Sequence, residues 1–179
     1  MNNKNNLIHI VLISLYVALL VVSSYISIPL PFSTSVITLH TVVINIIALT
    51  LKPKHSILCI IIYLFMGLIG LPVFALGTPG ISRLFSPVGG YYLGFLISTL
   101  IMSFLNNSKL MSQKYIPIML LVGLPIQHLC AIFVMLFYNS FDLVNAFLVI
   151  SLPFIFGDIV KIFISYLIIK NINKIKKVD

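Results

Sequence analysis

Charge is what this chain has least of. Only 8% of its 179 residues are charged, against 60% hydrophobic, where a water-soluble domain carries about a quarter charged. That shortage excludes an ordinary soluble fold and leaves a membrane protein of one domain's length, 1–179, because about 20 apolar residues in a helix cross the hydrocarbon core. Cysteine is scarce too: Cys59 and Cys130 lie inside apolar runs, without the spacing of a disulfide or metal site, and read as small buried side chains. No GxxxxGK(S/T) stretch occurs, so no P-loop is there to bind and hydrolyse ATP, and no HExxH zinc motif occurs either. Gly157 and Asp158 have a faint likeness to an intramembrane aspartyl protease, but no second aspartate lies in an apolar run, and that chemistry needs two carboxylates sharing a proton. Nothing here reads as an enzyme. Heptads, repeats and low-complexity tails are also missing.

What is present is a series of apolar runs cut by prolines and polar clusters. They predict an all-α, polytopic bundle of six membrane helices at about 7 to 28, 36 to 51, 55 to 71, 88 to 105, 115 to 138 and 153 to 172. A further apolar piece, about 141 to 152, is too short to cross and is expected on the membrane surface or over the bundle. The N-terminal run follows a single lysine, as in a secretory signal, but its length favours an uncleaved first span.

The net charge of +8 belongs to lysines between apolar runs, not to a water-facing patch, so anionic lipid and topology explain it better than nucleic acid. Six crossings put both termini on one side, together with Lys4, Lys52, Lys54, Lys109, Lys114, Lys170, Lys174, Lys176 and Lys177. The excess of lysine makes that side the cytoplasm, and the tail from Lys170 to Lys177 reads as a topological anchor. The two remaining cations, Arg83 and Lys161, fall in the opposite half of the molecule.

Arg83 is the one arginine, and it lies in GLIGLPVFALGTPGISRLFSPVGGYYLG, residues 67–94, which hold seven of the nine glycines. Such backbone breakers predict a long loop between the third and fourth helices. Asp158 and Lys161, in PFIFGDIVKIF, are three apart and share a helix face with Ser165. Ionisable residues inside a membrane helix face the protein interior or a wet cavity. Two readings stand: the pair neutralises itself structurally, or it belongs to a ligand site in which Arg83 stays free to meet an anion. A small, mostly apolar acid with an amide-like head would suit that set.

In ITLHTVVIN, the positions of Thr38, Thr41 and Asn45 align them on one face of the second predicted helix, with His40 at the same outer end. Gln127 and His128, beside Pro125, read as structural. Gly90 and Gly94 permit a close helix approach, and Ser14 and Ala18 form a second small-residue surface that could face another protein.

The order GLIGLPVFALG, SPVGGYYLGF and PFIFGDIVK, with ISIPLPFSTSVITLHT at 26–41, resembles the BioY family, the biotin-binding membrane subunit of energy-coupling-factor vitamin transporters, over nearly the whole chain. The resemblance implies a six-helix subunit in the cell (inner) membrane that captures biotin at an extracytoplasmic site. A separate transmembrane coupling protein with an ATPase pair would drive import, so no cofactor and no ATP are expected on this chain. It makes Arg83, Asp158 and Lys161 the leading ligand contacts, with Phe74, Tyr91 and Tyr92 as walls and Asn45 and His40 as polar neighbours. Ser14 and Ala18 would dock the coupling protein. The chain departs from the family pattern at His40, often glutamine there, at Val88, where a GPTGGY loop has threonine, and at Val22, where another small residue is expected. A subunit for another small vitamin or a biotin precursor, and a structural subunit without transport, remain the alternatives.

Overall fold

Lipid inverts the usual rule of burial, and the chain follows the inversion. Leu15, Phe65, Phe104, Leu121, Phe137 and Phe156 are exposed, while Asn45, Gln127, His128, Asp158, Lys161 and Ser165 are buried. Such an arrangement is stable only where the surroundings are apolar and polar groups find partners inside. The structure is a computed structural model, and it describes residues 3–29, 36–78, 80–106, 114–138 and 142–175.

Helix α1, Asn3–Tyr25, leads into a small antiparallel hairpin of β1, Ser27–Pro29, and β2, Val36–Thr38, paired Ser27 to Thr38 and Pro29 to Val36. Helix α2, His40–Thr50, is followed at once by α3, Pro53–Leu68, where Pro53 occupies the first turn and its missing N–H breaks no helical bond. Short helical turns then carry the chain across one end of the bundle: Ala75–Gly77, α4 at Ile81–Leu84, and Pro87–Gly89. Helix α5, Gly90–Leu105, comes next. Helix α6, Tyr115–Ile118, runs through a π-helical stretch, Met119–Gly123, into α7, Leu124–Tyr138. Pro125 cannot donate to the preceding turn, and the wider π turn lies directly before it. Helices α8, Leu143–Ile150, and α9, Leu152–Ile175, complete the described residues.

Four of these segments are long and apolar enough to cross a membrane: Leu7–Tyr25, Pro87–Leu105, Tyr115–Phe137 and Leu152–Lys174. His40–Thr50 and Pro53–Leu68 are apolar but shorter. The all-helical, multi-pass character expected from composition is therefore present.

The second predicted helix needs correction. Residues 36–38 are a strand, and α2 begins only at His40. Val36, Ile37 and Thr38 are β-branched and favour extended backbone, and β1 supplies the partner that makes it pay. Thr38 therefore does not share a helical face with Thr41 and Asn45. The first predicted helix likewise ends at Tyr25, not 28. Within the piece at 141 to 152, Leu143–Ile150 is a helix that packs on α7 and α9, burying Ala146 and Ile150. Residues 30–35, Lys109, Lys176 and Lys177 lie outside the described residues.

Close approach decides the packing of α5 on α7, the most extensive helix contact. A Cβ on Gly90 would stand 2.3 Å from the Cys130 carbonyl oxygen, and one on Gly94 would stand 2.8 Å from Gln127 Cα. Both obstacles are backbone, which cannot swing aside. Replacing Gly90 with valine should separate these helices and cost about 1–3 kcal/mol, as overpacking does. Thermal unfolding in detergent measures this, and an unchanged transition would show that the helices are not held at that distance.

Candidate functional site

A cavity opens between the N-terminal parts of α2, α5 and α9, beside the segment that carries α4. Its non-atom space is about 550 Å³, the open mouth included. Apolar and aromatic side chains form most of the wall: Ala75, Val88, Tyr91, Tyr92, Phe95 and Phe154. The polar lining is Thr38, His40, Thr41, Arg83, Asp158 and Lys161. A largely apolar cleft with a few converging polar groups is the usual form of a small-molecule site.

Helical spacing brings the first pair together. Lys161 Nζ donates to Asp158 Oδ1 at 2.7 Å, one turn away on α9, and each residue is only 6% exposed. Two other helices then reach the same carboxylate group. From α2 the Thr41 hydroxyl lies 3.5 Å from Oδ1, and from α7 His128 Nε2 lies 3.2 Å from Oδ2. Tyr91 of α5 meets His128 Nδ1 at 3.2 Å and donates to the Ile150 carbonyl at the end of α8. One carboxylate thus ties α2, α7 and α9 together, and through Tyr91 reaches α5 and α8.

Arg83 reaches the cavity from α4 beside the Tyr92 hydroxyl. Its Nε is buried without a hydrogen-bond partner, and among the described residues no carboxylate pairs with it. A guanidinium with a buried, unpaired N–H is prepared for an anionic ligand.

The other predicted residues separate into two groups. Tyr91, Tyr92 and His40 line the cavity. His40 is fixed by the Thr38 hydroxyl at 3.0 Å from Nδ1 and the Tyr63 hydroxyl at 2.6 Å from Nε2. Phe74 and Asn45 stand behind the wall. Phe74 is fully buried, packed on Tyr92 at 4.6 Å between ring centroids, and its ring fills the space that a side chain on Gly67 would need. Asn45 lies deeper on α2, where its amide donates to Ser165 Oγ at 3.4 Å and Ser165 in turn donates to the Lys161 carbonyl. Ser14 and Ala18 are exposed on α1, away from the cavity and beside exposed Leu15 and Val22.

Sequence reasoning missed Thr41 as a contact of Asp158 and read His128 as structural. No linear signal joins His128 to a residue 30 positions away, and its partner appears only when α7 and α9 are set side by side.

With the geometry in place, the comparisons with known proteins can be set beside it. The model of the BioY family matches residues 1–177. The chain is 34% identical over 161 residues to the biotin transporter BioY2 of Lactococcus lactis subsp. cremoris (strain MG1363), covering 88% of this chain and 86% of that one. It is 32% identical over 165 residues to the biotin transporter BioY of Thermotoga maritima, covering 90% and 94%. A crystal structure described as the S-component for biotin from an ECF-type ABC transporter superposes with a TM-score of 0.89 over 97% of this chain and 95% of that one, at 23% identity. That structure shows the shared fold.

The carboxylate at the centre makes a direct test of the geometry. Asp158→Ala leaves Lys161 buried without its partner and should cost about 3–5 kcal/mol of stability. Adding Lys161→Met removes the stranded charge and should recover much of that loss. Unfolding of the ligand-free single and double variants reads the coupling, and strictly additive effects would show that the two residues do not pair.

Proposed function

This chain belongs to the BioY family, and from that premise we propose that it captures biotin as the substrate-binding membrane subunit of an energy-coupling-factor importer. It is a transport protein and not an enzyme, in keeping with the transporters to which it is similar. The observation that carries the ligand assignment is the cavity's two-ended polarity. Arg83, whose buried Nε has no hydrogen-bond partner, lines the same cavity as the Asp158 and Lys161 pair, and most of the remaining lining is aromatic or apolar. Biotin has the complementary layout: a carboxylate at the end of an apolar chain, and a bicyclic head whose ureido group offers two N–H donors and one carbonyl acceptor. Arg83 takes the carboxylate in a forked contact. Asp158 accepts from ureido N–H groups and Lys161 donates to the ureido oxygen. Tyr91, Tyr92, Phe95 and Phe154 enclose the rings.

In this reading 1–179 forms one unit with six crossings, the two shorter apolar helices included, and both termini are in the cytoplasm. The cavity then opens on the outer face of the cell membrane. The segment 71–87 is a long external loop that lies over it as a lid, held by Phe74 against Gly67. ATP is hydrolysed by a separate ATPase pair. Exposed Ser14 and Ala18 on α1 give a close-packing surface for the transmembrane coupling protein. A competition panel of other small vitamins and biotin precursors tests the ligand assignment, since any that displaces biotin at lower concentration would replace it.

Two further outcomes are expected. Wild-type protein should bind biotin more tightly than its methyl ester, and Arg83→Ala should weaken biotin binding about tenfold or more while removing that preference, because a charge-assisted contact is lost. Calorimetry on the purified subunit reads both, and equal affinity of the wild type for acid and ester would reject the role of Arg83. A disulfide engineered between the 71–87 segment and α2 or α9 should block ligand exchange until it is reduced. Free exchange in the oxidised protein would show that the segment is not a lid.

A further inference from the structure

A histidine that lines a ligand cavity ordinarily offers it a ring nitrogen. His40 lines this cavity, yet both of its ring nitrogens are already engaged inside the protein. Nδ1 is hydrogen-bonded to the Thr38 hydroxyl at 3.0 Å and Nε2 to the Tyr63 hydroxyl at 2.6 Å. An imidazole nitrogen has a single hydrogen-bonding direction in the ring plane, filled by a hydrogen or by a lone pair. Whichever nitrogen carries the hydrogen, each makes one bond, and both bonds are made here to protein hydroxyls. What the side chain has left for the cavity is carbon.

The two partners are themselves held. Thr38 ends the strand β2, where it pairs with Ser27. Tyr63 of α3 is fully buried, its hydroxyl also donates to the Val73 carbonyl at 3.1 Å, and its ring meets the Phe74 ring edge-on at 5.7 Å between centroids. The imidazole is thus fastened between a strand and a helix at the start of α2. Its ring also begins an aromatic series. His40 and Phe95 stand 5.9 Å apart between centroids, Phe95 and Tyr91 6.4 Å, and Tyr91 and Phe154 6.3 Å. All four residues line the cavity.

We propose that His40 is a specificity-determining residue that meets the ligand through ring carbon, as the end of an aromatic wall, and that Tyr63 and Thr38 are the positioning residues that hold it there. A flat or apolar part of the ligand fits against such a wall by shape and dispersion. A hydrogen-bonding group placed against it would lose its water and find no partner in the ring. Hydrogen bonding to the ligand then falls to other polar residues of the lining, Arg83, Asp158 and Lys161 among them.

The ligand side of this inference rests on the biotin reading, while the fastening of the ring does not. Calorimetry on the purified full chain compares biotin binding across variants, each checked for folding by its thermal transition. His40→Ala should weaken binding about tenfold and His40→Phe less than about threefold, because phenylalanine restores the ring surface without the nitrogens. Equal losses in the two variants would show that a nitrogen is needed and overturn the proposal. Tyr63→Phe removes only the hydroxyl that fixes Nε2, and should weaken binding about threefold in the wild-type background and add nothing in His40→Ala, because it acts through that ring. Additive losses, or no loss from Tyr63→Phe, would also overturn the proposal, and this cycle decides it if His40→Phe does not fold. Absence of biotin binding by the wild type would instead reject the biotin reading. The ring is then decided by NMR of the ligand-free chain: contacts between the His40 and Phe95 rings should be lost in Tyr63→Phe, and their retention would overturn the fastening.

Discussion

A charge inside an apolar surrounding has to be neutralised and hydrogen-bonded from within, and the rest of this molecule is arranged around that constraint at Asp158. Asp158 is only 6% exposed, so a lone pair left without a partner costs free energy. Lys161 answers from the same helix, Thr41 from α2 and His128 from α7. The positions of three helices are thereby constrained by one side chain. The same residue also lines the cavity. The pair is thus both neutralised and part of the cavity wall.

Around that polar centre the bundle is held by shape. Lipid-facing leucines and phenylalanines gain little from leaving one apolar environment for another, so association depends on close contact and on interhelical hydrogen bonds. Gly90 and Gly94 supply the contact between α5 and α7. Phe74 supplies it at the outer end, where it fills the gap beside Gly67 and stacks against Tyr63 and Tyr92. The short helical turns over the cavity are therefore fastened at Phe74, while the turn bearing Arg83 reaches inward some residues later.

Much of this could be read residue by residue before any tertiary contact was known. Asp158 and Lys161 are three apart on a helix, so their pairing follows from helical geometry. The unpaired state of Arg83 follows from its being the one guanidinium in a chain with few acids to meet it. Thr38 shows the opposite case. Its spacing to Thr41 and Asn45 suggests one helical face, yet the β-branched run 36–38 pairs with 27–29 and takes it off the helix. Phe74 and Asn45 show another: both are in the right neighbourhood, but one packs behind Tyr92 and the other lies a turn deeper, bonded to Ser165.

Composition and periodicity by themselves determined that the chain is a multi-pass helical membrane protein, because the length and apolarity of a span are local properties set by the bilayer. They also placed Asp158 and Lys161 one turn apart on the last helix, within reach of one another. Only the tertiary structure decided that His128 belongs to that pair, that Tyr91 links it to the end of α8, and that Arg83 lines the same cavity. These relations join residues on different helices, and their separations depend on how closely the backbones approach. Gly90 and Gly94 permit that approach, but no period in the sequence records which atoms it brings within a hydrogen bond.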